Sequence, residues 1–326
     1  MNYSKIVATG SYLPEKVLTN EDLASIVETS DEWIVERTGI HCRHIAAENE
    51  TPASMAAEAS LQALNLHHID PQTIDLIIVA TCTSTHFFPS TACQLQQQLK
   101  ISSCIAFDIS AACTGFIYAL SIADQYVRSG MVKRALVVGS ETMSRVVDWK
   151  DRATCVLFGD GAGAVVIERS DEPGIIASKL FADGAKGDLL SLPTGVSPGL
   201  PGLSEMAPHA WPFVQMKGRA LFKDAVVSMG EAINSLLEDN HYSFQDLDWI
   251  VPHQANLRII DAIISKLSIP KEKVIVTVGE QANTSGASIP LALDSAFKDG
   301  RIQPGHQVLL EAFGGGLTWG SLLFRT

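Results

Sequence analysis

Ile74-Asp75-Leu76-Ile77-Ile78-Val79-Ala80-Thr81 reads as a buried strand headed by an acid, and Leu247-Asp248-Trp249-Ile250-Val251-Pro252-His253-Gln254 has the same layout. Both runs are short and continuously apolar, as strands covered on two faces are. Each follows a segment with helical spacing. Upstream of the first, 55–64 is Ala-rich; upstream of the second, Val226, Met229, Ile233 and Leu236 recur every three or four residues. Downstream the correspondence continues, with Cys113 lying 38 residues past Asp75 and Gly286 38 past Asp248, each before another helical stretch. Further on, 135–139 matches 308–312, 159–167 matches 314–324, and the opening strands at 6–10 and 175–178 recur. Several elements kept in one order indicate a chain written twice.

Strands alternating with helices must bury their sheets under those helices. The expected architecture is therefore a duplicated, layered α/β fold, with two similar halves at 1–172 and 173–326 and a site between them. The least regular stretch, 192–213, is rich in Pro and Gly and reads as a surface excursion or lid.

Of the 326 residues 46% are hydrophobic and 18% charged, values that exclude a disordered chain. No apolar run approaches the roughly 20 residues of a membrane span. The N-terminal run Lys5-Ile6-Val7-Ala8 reads as a strand and not an export signal, which places the protein in the cytoplasm. Six cysteines are scattered with no paired spacing, against both a disulfide framework and a structural zinc site. A net charge of −12 disfavours nucleic acid as a partner, so an acidic partner must find a local basic patch.

Within this frame 105–109 is a short apolar strand and 114–128 has helical periodicity, so Cys113 sits where strand turns into helix. The positive end of a helix dipole favours thiolate over thiol, and thiolate is the nucleophile. Ala111, Ala112 and Gly115 are small enough to let a carbonyl approach the sulfur and nearby backbone N–H groups. His253 follows Pro252 at a strand end, and imidazole is the group best suited to proton exchange near neutral pH. Asn283-Thr284-Ser285 has the residue types of an ordinary N-cap, but the duplication sets it opposite Cys113. Gly159-Asp160-Gly161-Ala162-Gly163 and Gly314-Gly315-Gly316 lack the residues of a phosphate loop; close backbone approach, with Gly315 N–H as an oxyanion donor, is the better reading of the second. His41-Cys42-Arg43-His44 has metal-binding residue types at a cramped spacing and reads as a solvated loop, and His67-His68 as a helix end facing water.

Cys113, Pro252-His253-Gln254-Ala255-Asn256 and Asn283-Thr284-Ser285 together form a specific signature. On it the chain resembles the β-ketoacyl-acyl-carrier-protein synthase III family of thiolase-fold condensing enzymes. The likeness is long. It runs from Gly10-Ser11-Tyr12-Leu13-Pro14 through Asp31-Glu32-Trp33-Ile34 and Arg37-Thr38-Gly39-Ile40, past 158–164, to Phe313-Gly314-Gly315-Gly316 and Trp319-Gly320. The resemblance implies a duplicated thiolase-like α/β fold layered α-β-α-β-α, and condensation of a short acyl-CoA, acetyl-CoA first of all, with malonyl-acyl-carrier protein to start fatty-acid synthesis, by a homodimer and without metal or organic cofactor. It assigns Cys113 as nucleophile, His253 and Asn283 as donors to the malonyl thioester, and Cys113 and Gly315 N–H as the oxyanion hole. Trp33, Arg37 and Arg152 would hold CoA. Phe88, reached across the dimer, and Phe313 would bound the primer pocket, and Gln254, Ala255, Asn256, Leu257 and Arg258, with Lys223 and Lys266, would meet the carrier protein.

Four departures from the family pattern bear on primer length and on the acceptor entrance: Ala282 where a Gly is usual, Gly279-Glu280-Gln281 where the approach is more basic, Gly286 for an Ala, and a longer 196–213 stretch. The rival readings are a related condensing enzyme or acyltransferase with another primer or acceptor, as in secondary metabolism, and a non-catalytic CoA-binding regulator. Retention of His253 and Asn283 favours decarboxylation, and a regulator would not need Cys113.

Overall fold

The computed structural model describes residues 2–193 and 213–326. The excursion expected at 192–213 falls, except for its ends, outside the described residues. In chain order the elements are β1 (Tyr3–Tyr12), β2 (Val17–Thr19), α1 (Asn20–Ala24), α2 (Asp31–Thr38), β3 (Cys42–His44), α3 (Pro52–Leu66), β4 (Leu76–Ala80), α4 (Thr91–Gln98), β5 (Ile105–Ile109), α5 (Gly115–Arg128), β6 (Arg134–Thr142) and β7 (Asp160–Ser170). They continue with β8 (Ile175–Ala182), β9 (Leu190–Ser191), β10 (Gln215–Met216), α6 (Gly218–Asp239), β11 (Trp249–Pro252), α7 (Leu257–Leu267), α8 (Val278–Gln281), α9 (Ser288–Lys298), β12 (Gln307–Gly314) and β13 (Thr318–Arg325).

The duplication is visible in the strand order. One sheet runs β1-β7-β6-β4-β5 and the other, read from its β8 edge, β8-β13-β12-β11. In each, the first strand pairs antiparallel with the second, the second antiparallel with the third, and the third parallel with the fourth. A parallel bridge from Ile250 to Val274 stands where the second sheet would carry its fifth strand.

Alternation along the strands explains the layers. Leu76, Ile78 and Ala80 of β4 face a core shared with Phe116, Leu120 and Val127 of α5, Leu293 and Ala296 of α9, and Val308, Leu310 and Leu322 of the second sheet. Ile77 and Val79 face the opposite way, onto α3 and α4. On the far face of the second sheet, Ile250, Leu309 and Leu323 pack against Met229, Ile233 and Leu236 of α6 and Ile260 and Ile263 of α7. The order is thus α3/α4, sheet, α5/α9, sheet, α6/α7, with α5 and α9 buried between the two sheets. Each fully buried Leu or Ile there contributes about 1.5–3 kcal/mol. The central helices start alike: a 3-10 turn at Ala112–Thr114 leads into α5, and one at Ser285–Ala287 leads into α9. Among the described residues no helix is long and apolar enough to cross a membrane.

The reading of 41–44 as a solvated loop needs correction. Cys42–His44 is a strand paired with Val17–Thr19, and Arg43 is completely buried. Its guanidinium donates to Leu18 O at 3.1 Å, Asn20 Oδ1 at 2.9 Å and Val156 O at 3.0 Å, so backbone carbonyls and an amide stand in for a carboxylate partner. His67 and His68 are exposed at the end of α3, as expected.

Ala282 adopts φ 55° and ψ −164°, a backbone region that is almost exclusively glycine's. The turn places Asn283, so the chain carries strain at this point to keep the amide in position. Strain of this kind costs about 1–3 kcal/mol, and glycine's added freedom in the unfolded chain returns part of it. Ala282→Gly should therefore stabilise the protein by about 1 kcal/mol, read as a higher urea midpoint at unchanged m-value; an equal or lower midpoint would contradict the strain.

Candidate functional site

The duplication brings the two 3-10 turns together at the N-terminal ends of the central helices. Cys113, at the middle of the first turn, is 7% exposed. The end of β12 closes against it: a Cβ added to Gly314 would stand 2.8 Å from the Cys113 nitrogen, which only glycine avoids. The Cys113 Sγ donates to Ser285 Oγ at 3.6 Å. Two cavities meet at this sulfur. One of about 60 Å³ is lined by Cys113, His253, Asn283, Phe313, Phe158 and Asn256, among others. The other, of about 370 Å³, is lined by Cys113, Cys82, Met143, Phe158, Leu190 and Gly315 among others. Cys113, His253 and Asn283, separated by up to 170 residues of sequence, thus border one space.

Hydrogen bonds orient both donors. Asn283 Oδ1 accepts the Ser285 N–H at 2.9 Å, which commits the amide oxygen and leaves the NH2 group for the cavity. Its main chain is held by Asn283 N–H to Leu157 O at 2.9 Å and Gly159 N–H to Asn283 O at 3.1 Å. His253 leaves the end of β11 with its N–H on Glu311 O at 2.8 Å. Its Nδ1 lies 2.6 Å from Ser288 Oγ, and that hydroxyl already accepts the Gln254 N–H at 3.3 Å. With Ser288 donating to Nδ1, the imidazole keeps its proton on Nε2.

Burial decides the charge state. It lowers His253 from 6.5 to about 3, so the ring is neutral throughout the physiological range. The same burial pushes the Cys113 thiol up from 9.0 to about 12, with the Ser285 bond opposing and the Glu141 carboxylate adding to the rise. This corrects the expectation of a lowered thiol: the rise is worth about 4 kcal/mol, whereas a helix terminus contributes at most about 2 kcal/mol. Glu141 is itself buried and raised, despite accepting from Thr83 Oγ at 2.6 Å and from the Cys82 N–H and S–H groups at 3.1 and 3.2 Å.

Other residues singled out from sequence are distributed as follows. Trp33 carries two guanidiniums: Arg37 lies 4.5 Å and Arg152 4.6 Å from its ring centroid, with Arg152 also donating to Glu28 O at 2.9 Å. Phe313 lines the smaller cavity with His253 and Asn283 and does not line the larger one. Phe88 is 86% exposed and lines neither cavity of its own chain. Gln254 does not belong to a docking surface. It is completely buried, donating through Nε2 to Pro252 O and Ile275 O at 2.7 and 3.1 Å and accepting Thr277 and Val278 N–H at 2.8 and 3.0 Å. Asn256 caps α7 by accepting the Ile259 N–H at 3.0 Å. Arg258, Lys223 and Lys266 are exposed on α6 and α7, and among the described residues Arg258 and Lys223 have no ion-pair partner. Sequence reasoning missed Ser288, Cys82, Met143 and Glu141. Only Ser288, three residues past Ser285 at a helix start, left a pattern that periodicity could have flagged.

Two family models match the chain: 3-oxoacyl-[acyl-carrier-protein] synthase III over residues 107–184, and the C-terminal domain of the same synthase over 237–326. The chain is 57% identical to the β-ketoacyl-[acyl-carrier-protein] synthase III of Methylococcus capsulatus over 323 residues, 99% of each chain. Among solved structures, the 3-oxoacyl-[acyl-carrier-protein] synthase III of Aquifex aeolicus is similar with a TM-score of 0.92 and 50% identity, over 99% of this chain and 100% of that one. The Thermus thermophilus β-ketoacyl-[acyl-carrier-protein] synthase III gives a TM-score of 0.93 at 42% identity, over 99% of each.

Glu311, whose main-chain carbonyl accepts the His253 N–H, is 1% exposed, and neither of its carboxylate oxygens has a hydrogen-bond partner among the described residues. Burial raises it from 4.5 to about 8. A carboxyl raised on folding contributes stability fully below pH 4.5 and loses it as pH rises through about 8. His253 has the opposite sign and acts only between about 3 and 6.5, so it is silent above that window. Between pH 6.5 and 8 the wild type should lose stability at up to about 1.4 kcal/mol per pH unit, and Glu311→Gln should flatten that slope. Urea midpoints for both proteins at the two pH values check this; parallel slopes would refute it.

Proposed function

We propose, for a chain that belongs to the 3-oxoacyl-[acyl-carrier-protein] synthase III family, the decarboxylative condensation of a short acyl-CoA with malonyl-acyl-carrier protein, the step that starts fatty-acid synthesis. The observation that carries this reading is the single cavity bordered by a buried thiol, a neutral imidazole and an oriented amide.

In the first step the Cys113 sulfur attacks the acyl-CoA thioester carbonyl. The oxyanion is met by backbone N–H groups of Cys113 and Gly315, and CoA departs with the thiol proton, leaving the acyl group on sulfur. Because burial keeps the resting sulfur protonated, deprotonation accompanies attack and does not precede it. The larger cavity beside Cys113 has room for a short acyl chain. In the second step the malonyl thioester oxygen accepts from His253 Nε2–H and Asn283 Nδ2–H. Carbon dioxide leaves, the electrons of the broken C–C bond form the enolate, and its carbon attacks the acyl group, expelling the Cys113 thiolate, which takes up one proton from solvent to return as a thiol. Two neutral donors suit an oxygen that gains charge only transiently, and neither loses its proton across the physiological range. The steps as written draw on no metal or organic cofactor.

CoA would lie with its adenine on the Trp33 indole, in place of one of the two guanidiniums stacked there, and with its phosphates near Arg37. The working unit is a homodimer. In support, β5 is an edge of its sheet, paired on one side only among the described residues, and Phe87 and Phe88, between β4 and α4, are 80% and 86% exposed, as side chains destined for another surface would be. The partner's Phe88 would then close the larger cavity. The halves divide between β7, which ends at Ser170, and β8, which begins at Ile175, in keeping with a boundary at 172/173. A chain with this substrate set works in the cytoplasm.

His253→Ala and Asn283→Ala should still take an acetyl group from acetyl-CoA onto Cys113, whereas Cys113→Ala should take none. The two donor variants should lose malonyl decarboxylation by about 10²- to 10³-fold, roughly 3–4 kcal/mol. Intact mass reads the first step and CO2 release the second. If both donor variants fail to acylate while still binding CoA, the division of labour is wrong.

Arg258→Glu should raise the KM for malonyl-acyl-carrier protein while leaving self-acylation by acetyl-CoA intact, because an acidic carrier has to find a cationic patch on a chain of net charge −12. Wild-type turnover with the carrier should fall as salt rises, and the variant's should fall less. Equal loss with malonyl-CoA as acceptor would show that Arg258 supports the fold and that the carrier docks elsewhere.

A further inference from the structure

A second thiol stands at the nucleophile. Cys82 lines the larger cavity together with Cys113, and both sulfurs bond to one hydroxyl, Ser285 Oγ, at 3.8 Å and 3.6 Å. Topology produces the pairing. β4 and β5 run parallel with Ala80 opposite Ile109, and Thr81 N–H still donates to Ile109 O beyond the last paired residues. The two chains therefore leave the sheet side by side, and Cys82 on one and Cys113 on the other arrive at the same serine. Cys82 has no part in the condensation, and the other four cysteines line neither cavity. A buried carboxylate fixes its position: the Cys82 N–H and S–H both donate to Glu141.

We propose that Cys82 is the resolving thiol of Cys113: a hydroperoxide oxidises the nucleophile, and the two sulfurs then close a reversible intramolecular disulfide. With hydrogen peroxide as oxidant, the Cys113 sulfur attacks one peroxide oxygen, the O–O bond breaks, and one water leaves behind a sulfenic acid. The Cys82 sulfur attacks the Cys113 sulfur, the S–O bond breaks, and the hydroxyl departs with the Cys82 proton as a second water. The two thiols give up two electrons between them, and the peroxide is reduced to two waters. A dithiol reductant reverses the outcome by exchange, becoming a disulfide itself.

Closure requires both thiols to rotate off Ser285 Oγ until the sulfurs are about 2 Å apart. Burial holds both as thiols, which makes the first oxidation slow. It also means that, once the sulfenic acid has formed, the thiol closest to hand is internal, since Cys113 is only 7% exposed. The disulfide would interrupt catalysis while sparing the nucleophile from irreversible sulfinic acid. That consequence for activity rests on Cys113 being the nucleophile; formation of the bond does not.

The full-length protein is treated with hydrogen peroxide and alkylated. It is then mapped by non-reducing peptide mass spectrometry, with self-acylation by acetyl-CoA measured against each protein's own untreated value. The wild type should become two hydrogens lighter, carry a cross-link between the Cys82 and Cys113 peptides, lose acylation more than about tenfold, and regain most of it with dithiothreitol. Cys82→Ser, with Cys82→Ala as a second variant should serine disturb the Glu141 contacts, should form sulfinic acid at Cys113 and stay inactive after dithiothreitol. Sulfinic acid at Cys113 in the wild type without an 82–113 cross-link would overturn the proposal, as would full restoration of both variants. An untreated wild type that forms no acyl-enzyme would instead count against the condensation reading, and the cross-link would be read as before.

Discussion

Two helices held between the sheets and buried over most of their length, α5 and α9, are the constraint on which this molecule is built. Each is covered by a sheet on either side, and their N-terminal turns can meet only where nothing larger than hydrogen stands between them. A Cβ added to Gly139 on β6 would lie 2.2 Å from the Gly286 carbonyl oxygen at the start of α9. Because the chain is written twice, the two turns in contact are equivalent elements of the two copies. One presents a thiol, and the other an amide and a hydroxyl. A duplicated fold thus makes a site with different chemistry on its two sides from one local geometry used twice.

The same burial sets the electrostatics. An ion pair between thiolate and imidazolium would suit a cysteine nucleophile in water, but here the cost of burial exceeds what a helix terminus returns, and both groups are neutral. That state fits a two-step reaction. The thiol becomes charged only as the substrate arrives, and the imidazole serves as a fixed donor whose proton is not lost or gained between acylation and condensation. Ser288 and Ser285 complete the arrangement, one holding Nδ1 of His253 and the other engaging the Cys113 sulfur and fixing the Asn283 amide.

Costs are visible around this centre. Ala282 carries a glycine-like backbone immediately before Asn283, and Glu311, whose main-chain carbonyl accepts the His253 N–H, keeps a carboxyl with no hydrogen-bond partner among the described residues. Both sit next to a residue of the site and neither is needed for the sheets to form, as expected where the fold has more stability than the site consumes. At the surface the opposite economy holds: on a strongly acidic chain, Arg258 and Lys223 lie on neighbouring helices without acidic partners among the described residues.

What the sequence by itself determined is what depends on neighbours along the chain. The repeated strand–helix order, the turn that holds Cys113 and the strand end at His253 were all legible because apolar period acts over a few residues. Tertiary structure alone decided what depends on which surfaces lose water together. Gln254 and Arg43 look like surface residues in a local reading, but the fold buries both, meeting the Gln254 amide with backbone groups and the terminal nitrogens of Arg43 with two carbonyls and the Asn20 amide. Phe313 stands on the His253 side of the sulfur, the Cys113 thiol is raised where local reasoning had it lowered, and Cys82 reaches the nucleophile only because β4 and β5 are adjacent in the sheet. Desolvation and contact across sheets arise between residues far apart in sequence, and no local period records them.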